Sequence, residues 1–92
     1  NKYEWQRFIE KTDCCIGLLE FAIALSDDDD ERNIKRYKNA AYYQQMIIDS
    51  CSWKRDYSSY GGSYWNKEWM LTDSAKQIRR NKIAECYKQG DG

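Results

Sequence analysis

The sequence predicts an all-α fold, a small three-helix bundle forming one domain over residues 1–92, and three observations lead there. The 92 residues include no Pro, which leaves long stretches without a helix breaker. Apolar residues recur at intervals of three and four in three separate stretches. Four of the five glycines are confined to Gly61-Gly62 and to Gly90 and Gly92, so punctuation is concentrated in one connection and one end. A single hydrophobic core is all that a chain of this length builds.

The first element is expected over Lys2 to Leu25, either as one helix or as two segments broken near Asp13. Trp5, Phe8/Ile9, Thr12, Cys15/Ile16, Leu19 and Ala22/Ile23 form one stripe, and Cys14, Leu18, Phe21 and Leu25 form a second, confined to the latter half. From Cys14 to Leu25 only Glu20 is charged, and apolar side chains occupy every face. Such a segment is expected to be covered all round, so residues 14–25 are predicted to be the buried central helix. It is too short to cross a bilayer, which takes about twenty apolar residues. Gly17, in its middle, suggests a close approach by another backbone. Glu20 is expected either to pair with a cation or tyrosine of a later helix or to look out between helices.

Ser26 to Glu31 reads as a turn followed by a helix start, with Ser or Asp as N-cap and carboxylates at the positive end of the helix dipole. The run Asp27, Asp28, Asp29, Asp30 and Glu31 exceeds what a cap requires and is a candidate acidic knob for a basic partner. It lacks the ligand spacing and glycine of a Ca²⁺ loop. Helix two is predicted from Asp30 to about Tyr57, with Ile34, Tyr37, Ala41, Gln44, Ile48 and Cys51 on its apolar stripe. Arg32, Lys35, Arg36, Lys38 and Asn39 lie on its outer face.

Residues 56–63 form the Gly/Ser-rich connection, at the centre of the densest aromatic region: Trp53, Tyr57, Tyr60, Tyr64, Trp65 and Trp69. Large aromatics among Ser and Gly suit a contact surface, and equally a lid over the end of a small bundle. Helix three is predicted from Tyr64 or Ser74 to Gln89, with a capping box at Ser74–Gln77 and Gly90 as the residue that ends it. Its apolar set, Leu71, Ala75, Ile78, Ile83, Cys86 and Tyr87, is thin, and Lys76, Arg79, Arg80 and Lys82 give it a basic outer side.

The chemistry is limited by what the chain lacks. There is no histidine, which removes the commonest general base, the usual triads and most zinc arrangements. No phosphate-binding glycine loop is present, and the adjacent Cys14-Cys15 lacks metal-site spacing. The expectation is therefore a protein that is not an enzyme, with no cofactor and no metal. The net charge of zero conceals a segregation: nine acids against three bases up to Glu31, and twelve bases against six acids beyond it. Four cysteines, 14, 15, 51 and 86, allow two disulfides, which would make a secreted disulfide-stapled helical module. With no secretory segment visible, reduced core thiols in a cytoplasmic protein are the favoured expectation.

The function expected from these residues is a small, soluble protein–protein interaction module. It has the character of a phage or mobile-element accessory inhibitor or regulator that docks on a larger host complex. The aromatic region and the acidic knob are its candidate contacts. The alternative is nucleic-acid binding by a basic patch of Arg32, Lys35, Arg36, Lys54, Arg55, Arg79 and Arg80 with Tyr/Trp stacking, against which stands a pI near 6.4. No membrane association is expected, and a homodimer is left open by an apolar helix in so small a chain.

Overall fold

The computed structural model describes residues 2–58 and 72–91, and these form the expected three-helix bundle: α1 (Lys2–Leu25), α2 (Arg32–Ser58) and α3 (Asp73–Asp91). Helix α1 is unbroken through Asp13. That residue does not end the helix because its carboxylate points outward to Arg79 of α3 instead of back to its own backbone. Among the described residues no helix is long and apolar enough to cross a membrane.

The three helices run up, down and up. Trp5 lies level with Ser50, to whose Oγ its indole N–H donates at 3.1 Å, and Ser26 meets Asn33 at the other end. Helix α3 then returns along α2, with Arg79 beside Gln44 and Gly90 against Ile34 and Tyr37. Helix α2 packs broadly on both neighbours, whereas α1 and α3 touch each other little.

The buried centre is consequently α2 and not residues 14–25. Ala40, Ala41, Gln44, Ile47, Ile48 and Cys51 are all buried. Two adjacent alanines let a helix approach from either side, and the flanking isoleucines fill the seams. Ala41 and Ile48 form the core cluster with Ile83 of α3, and Cys86 packs against it. From α1 only Trp5, Thr12 and Ile16 are fully buried, while Leu18, Phe21 and Leu25 are 70%, 63% and 72% exposed. An outer helix of a three-helix bundle has one covered face, so a segment that is apolar all round must present another to solvent.

The two glycines within the described helices do not play their expected roles. An added Cβ at Gly17 meets nothing within 4 Å, whereas one at Gly90 meets the Ile34 carbonyl oxygen at 3.5 Å and Tyr37 Cβ at 3.6 Å. The close approach is therefore at Gly90, which lies inside α3 and does not cap it. At the start of α3, Thr72 and not Ser74 is the cap: its Oγ1 accepts from Ala75 N–H at 3.1 Å. Lys76, expected on the basic outer side, is buried, and Ile78 and Tyr87, expected inside, are exposed.

Gly17 in an open mid-helix position carries the entropic cost of glycine without any packing return. Gly17→Ala should stabilise the fold by about 0.5–1 kcal/mol, visible as a rise of several degrees in the thermal midpoint followed by circular dichroism. An unchanged or lowered midpoint would show that something does approach this position.

Candidate functional site

Two polar clusters hold the frame on which any contact surface is displayed. The first joins all three helices. Arg79 of α3 forks onto Asp13 of α1, with Nη1–Oδ1 at 2.8 Å and Nη2–Oδ2 at 3.0 Å, and Nη1 also donates to Gln44 Oε1 of α2 at 2.8 Å. A two-pronged guanidinium–carboxylate pair is directional as well as strong, and Gln44 is only 2% exposed, so its carbonyl depends on this donor. One acid of the acidic N-terminal third and one base of the remainder are paired here across the bundle.

The second cluster is the α1–α2 turn. Asp30 is the N-cap of α2, accepting from Arg32 N–H at 2.9 Å, and its carboxylate also receives Arg32 Nε at 3.1 Å and Nη2 at 2.9 Å. These bonds from Arg32, side chain first and backbone second, hold the Asp30 carboxyl below the usual carboxylate range. Arg36 donates to Ser26 Oγ and Asn33 Oδ1, and Asn33 Nδ2 donates to the Asp27 carbonyl at 3.1 Å. The buried Asn33 thus closes the turn from within.

These clusters redistribute the expected site residues. Of the acidic run, Asp30 is committed to capping, and Asp27, Asp28, Asp29 and Glu31 are exposed. Asp28 to Glu31 line a shallow depression with Ile23, Ile34, Tyr37 and Gln89. Of the basic set, Arg79 and Arg36 are turned into the two networks, Arg32 is paired with Asp30, and Lys35 and Arg80 stand exposed on different helices. Trp53, Tyr57, Lys54 and Arg55 fall on the last turns of α2, and Tyr60, Tyr64, Trp65 and Trp69 lie outside the described residues.

Between α1 and α3 runs an open groove of about 400 Å³, lined by Ile16, Gly17, Glu20, Ile78, Arg79 and Lys82. Glu20 looks into this gap alongside Lys82. Toward its other end the groove continues past Ala40 to Cys86, whose thiol is pushed up by burial and then by Glu20 and Glu85, so it stays protonated at neutral pH and is a poor nucleophile. All four cysteines are free thiols, with Cys14 and Cys15 exposed. The helix register sets Cys14 about eight residues, or roughly 12 Å, along α2 from Cys51, beyond the reach of a disulfide. Among the described residues no group of three or more Cys, Asp or Glu side chains could hold a metal ion.

The feature that sequence reasoning misplaced is the second stripe of α1. Cys14, Leu18, Phe21 and Leu25 are all exposed, spaced by four, three and four, on the face opposite the one that Trp5, Thr12 and Ile16 bury against α2. These four residues form a row at heptad spacing that no described helix covers. The signal was present in the sequence: the same row runs backward into Lys11 and Arg7, which belong in water.

Replacing Arg79 by Ala strands the buried Gln44 carbonyl and leaves the half-exposed Asp13 carboxylate to water, and should cost about 2 kcal/mol in urea or thermal unfolding, with Arg79→Lys recovering only part because the fork is lost. A second outcome concerns pH. Asp30 has a lower pKa folded than unfolded, so its stabilisation is complete above about pH 4 and is lost as the pH falls through its lowered folded value. Asp30→Asn, which retains the cap but not the charge, should lower the midpoint at pH 7 and lose less further stability than wild type between pH 5 and pH 2. Comparison of the chain with protein-family models, curated proteins and solved structures finds no match, so the functional reading rests on this geometry.

Proposed function

We propose that the protein is a non-enzymatic interaction module that docks on a protein partner through the outer face of α1 and the adjoining acidic turn. The observation that carries this reading is the exposed seam Cys14, Leu18, Phe21 and Leu25, whose three large residues all keep most of their surface in water. Scattered apolar residues on a surface need no explanation, but large ones aligned in one row of one helix form a contiguous patch whose exposure is costly unless something covers it. The row ends beside Asp27, and the exposed Asp28 and Asp29 follow in the same turn, adding charge that selects partners and speeds encounter. The rest of the bundle serves as the frame: the Arg79 fork and the Asn33 turn fix α1 at both its middle and its end. Docking of this kind suits an inhibitor or regulator that acts by occupying a surface. The nucleic-acid alternative draws no support from the basic set, whose two least exposed described members, Arg36 and Arg79, are engaged inside the bundle.

Affinity capture from source cells with wild type and with Leu18→Glu/Phe21→Glu tests the reading. Both positions are exposed, so the double variant should keep its helical spectrum and thermal midpoint while losing the captured partner. Asp28→Ala/Asp29→Ala, with Asp30 left to cap α2, should weaken capture, most visibly at low salt. A captured set unchanged by the seam variant would remove this face as the contact.

A further inference from the structure

One buried polar group on the α1–α3 groove has no partner among the described residues. Gln44 is 2% exposed, and because Arg79 only donates, the oxygen it binds must be Oε1, which leaves the amide nitrogen as the free end. Among the described residues nothing accepts a hydrogen bond from that Nε2. A buried amide donor without an acceptor is costly, and in folded proteins the large majority find one. Gln44 lines both parts of the groove, the larger of about 400 Å³ and the smaller of about 230 Å³, so an acceptor can reach it from there.

The residues that the two parts share are Ile16, Glu20, Gln44 and Lys82. Glu20 of α1 and Lys82 of α3 stand exposed at this junction, opposite in sign, and neither forms an ion pair or hydrogen bond with a described residue. Asp13 and Arg79, the other charges of the larger part, already neutralise each other. The smaller part is apolar on Ile16, Ala40 and the half-buried Cys86, with the exposed Glu85 as a second acid on that side. A simple carboxylate would meet Glu20 and Glu85 as well as Lys82, and a simple cation would leave the Gln44 donor unmatched. A zwitterion satisfies the acid, the base and the neutral donor together, and the volume is that of a small-molecule site.

We infer that the groove binds a free α-amino acid with an apolar side chain, its carboxylate accepting from Gln44 Nε2 and facing Lys82, its ammonium facing Glu20, and its side chain lying on Ile16, Ala40 and Cys86. None of Cys14, Leu18, Phe21 and Leu25 lines this groove, so the site is independent of the docking face proposed above.

Titration of the isotope-labelled chain with L-leucine, followed in amide correlation spectra, reads the site through the side-chain amide signals of Gln44. Those signals and the backbone signals of Ile16 and Cys86 should shift together and saturate, with a midpoint on the order of 1 mM. Leucinamide, which lacks the carboxylate, N-acetyl-leucine, which lacks the ammonium, and glycine, which lacks the side chain, should each bind about tenfold more weakly or worse. Lys82→Ala and Glu20→Gln, both at exposed positions, should each raise the midpoint about threefold. Gln44→Glu keeps an acceptor for Arg79 but replaces the donor by a carboxylate oxygen, and should abolish the Ile16 and Cys86 shifts at about 20 mM leucine with an unchanged helical spectrum. Should that variant unfold the bundle, the two rim variants decide alone. Gln44 signals unmoved at about 20 mM leucine overturn the inference, as do half-ligands that bind as tightly as leucine or rim variants that leave its midpoint where it was.

Discussion

One guanidinium holds the bundle to its shape. Helix α3 brings few large apolar residues to the core, chiefly Ile83 with Cys86 beside it, and it barely touches α1. Arg79 compensates by forking onto Asp13 while donating to Gln44, so a single side chain specifies the spacing of all three helices. Directional bonds fix register where a thin apolar face cannot, and the geometry follows: α1 is held at its middle against α2, its far end is closed by the Ser26–Asn33–Arg36 turn, and its outer face is left bare. The charge segregation along the chain acquires a structural purpose in this pair, with the acid supplied early and the base late.

Much of the fold was legible from periodicity and from the absence of proline. The three helices begin and end close to the positions that their patterns suggest, because stop signals and N-caps are local chemistry. What was not legible is which helix lies at the centre. Cys14 to Leu25 has the richer composition, but composition measures what a helix would bury, not how many neighbours there are to cover it. Helix α2 looks less apolar and is enclosed because Ala40 and Ala41 admit neighbours on two sides. Small residues, not large ones, mark the centre here.

The site was legible to a similar depth. The acidic run was correctly placed at the turn, yet its members are unequal: Asp30 is consumed by capping and by Arg32, a distinction that depends on which carboxylate lands on the first free backbone N–H. The basic residues were expected on the outer faces of helices two and three, but Arg36 and Arg79 find acceptors inside the bundle. The close approach falls at Gly90 and not at Gly17 because a glycine's meaning lies in what stands opposite, and that is information the chain does not carry locally.

The short α1–α2 turn has a consequence in time. Its few residues close a hairpin at little entropic cost, whereas the Asp13–Arg79 bond joins positions 66 residues apart. The hairpin's contacts are therefore the quicker to close, and those of α3 wait on a long-range closure. Once made, they form the broader of the two interfaces on α2 and hold the core cluster, so release of α3 would expose Ala41, Ile48 and the buried Gln44 while leaving the α1 seam and its turn intact.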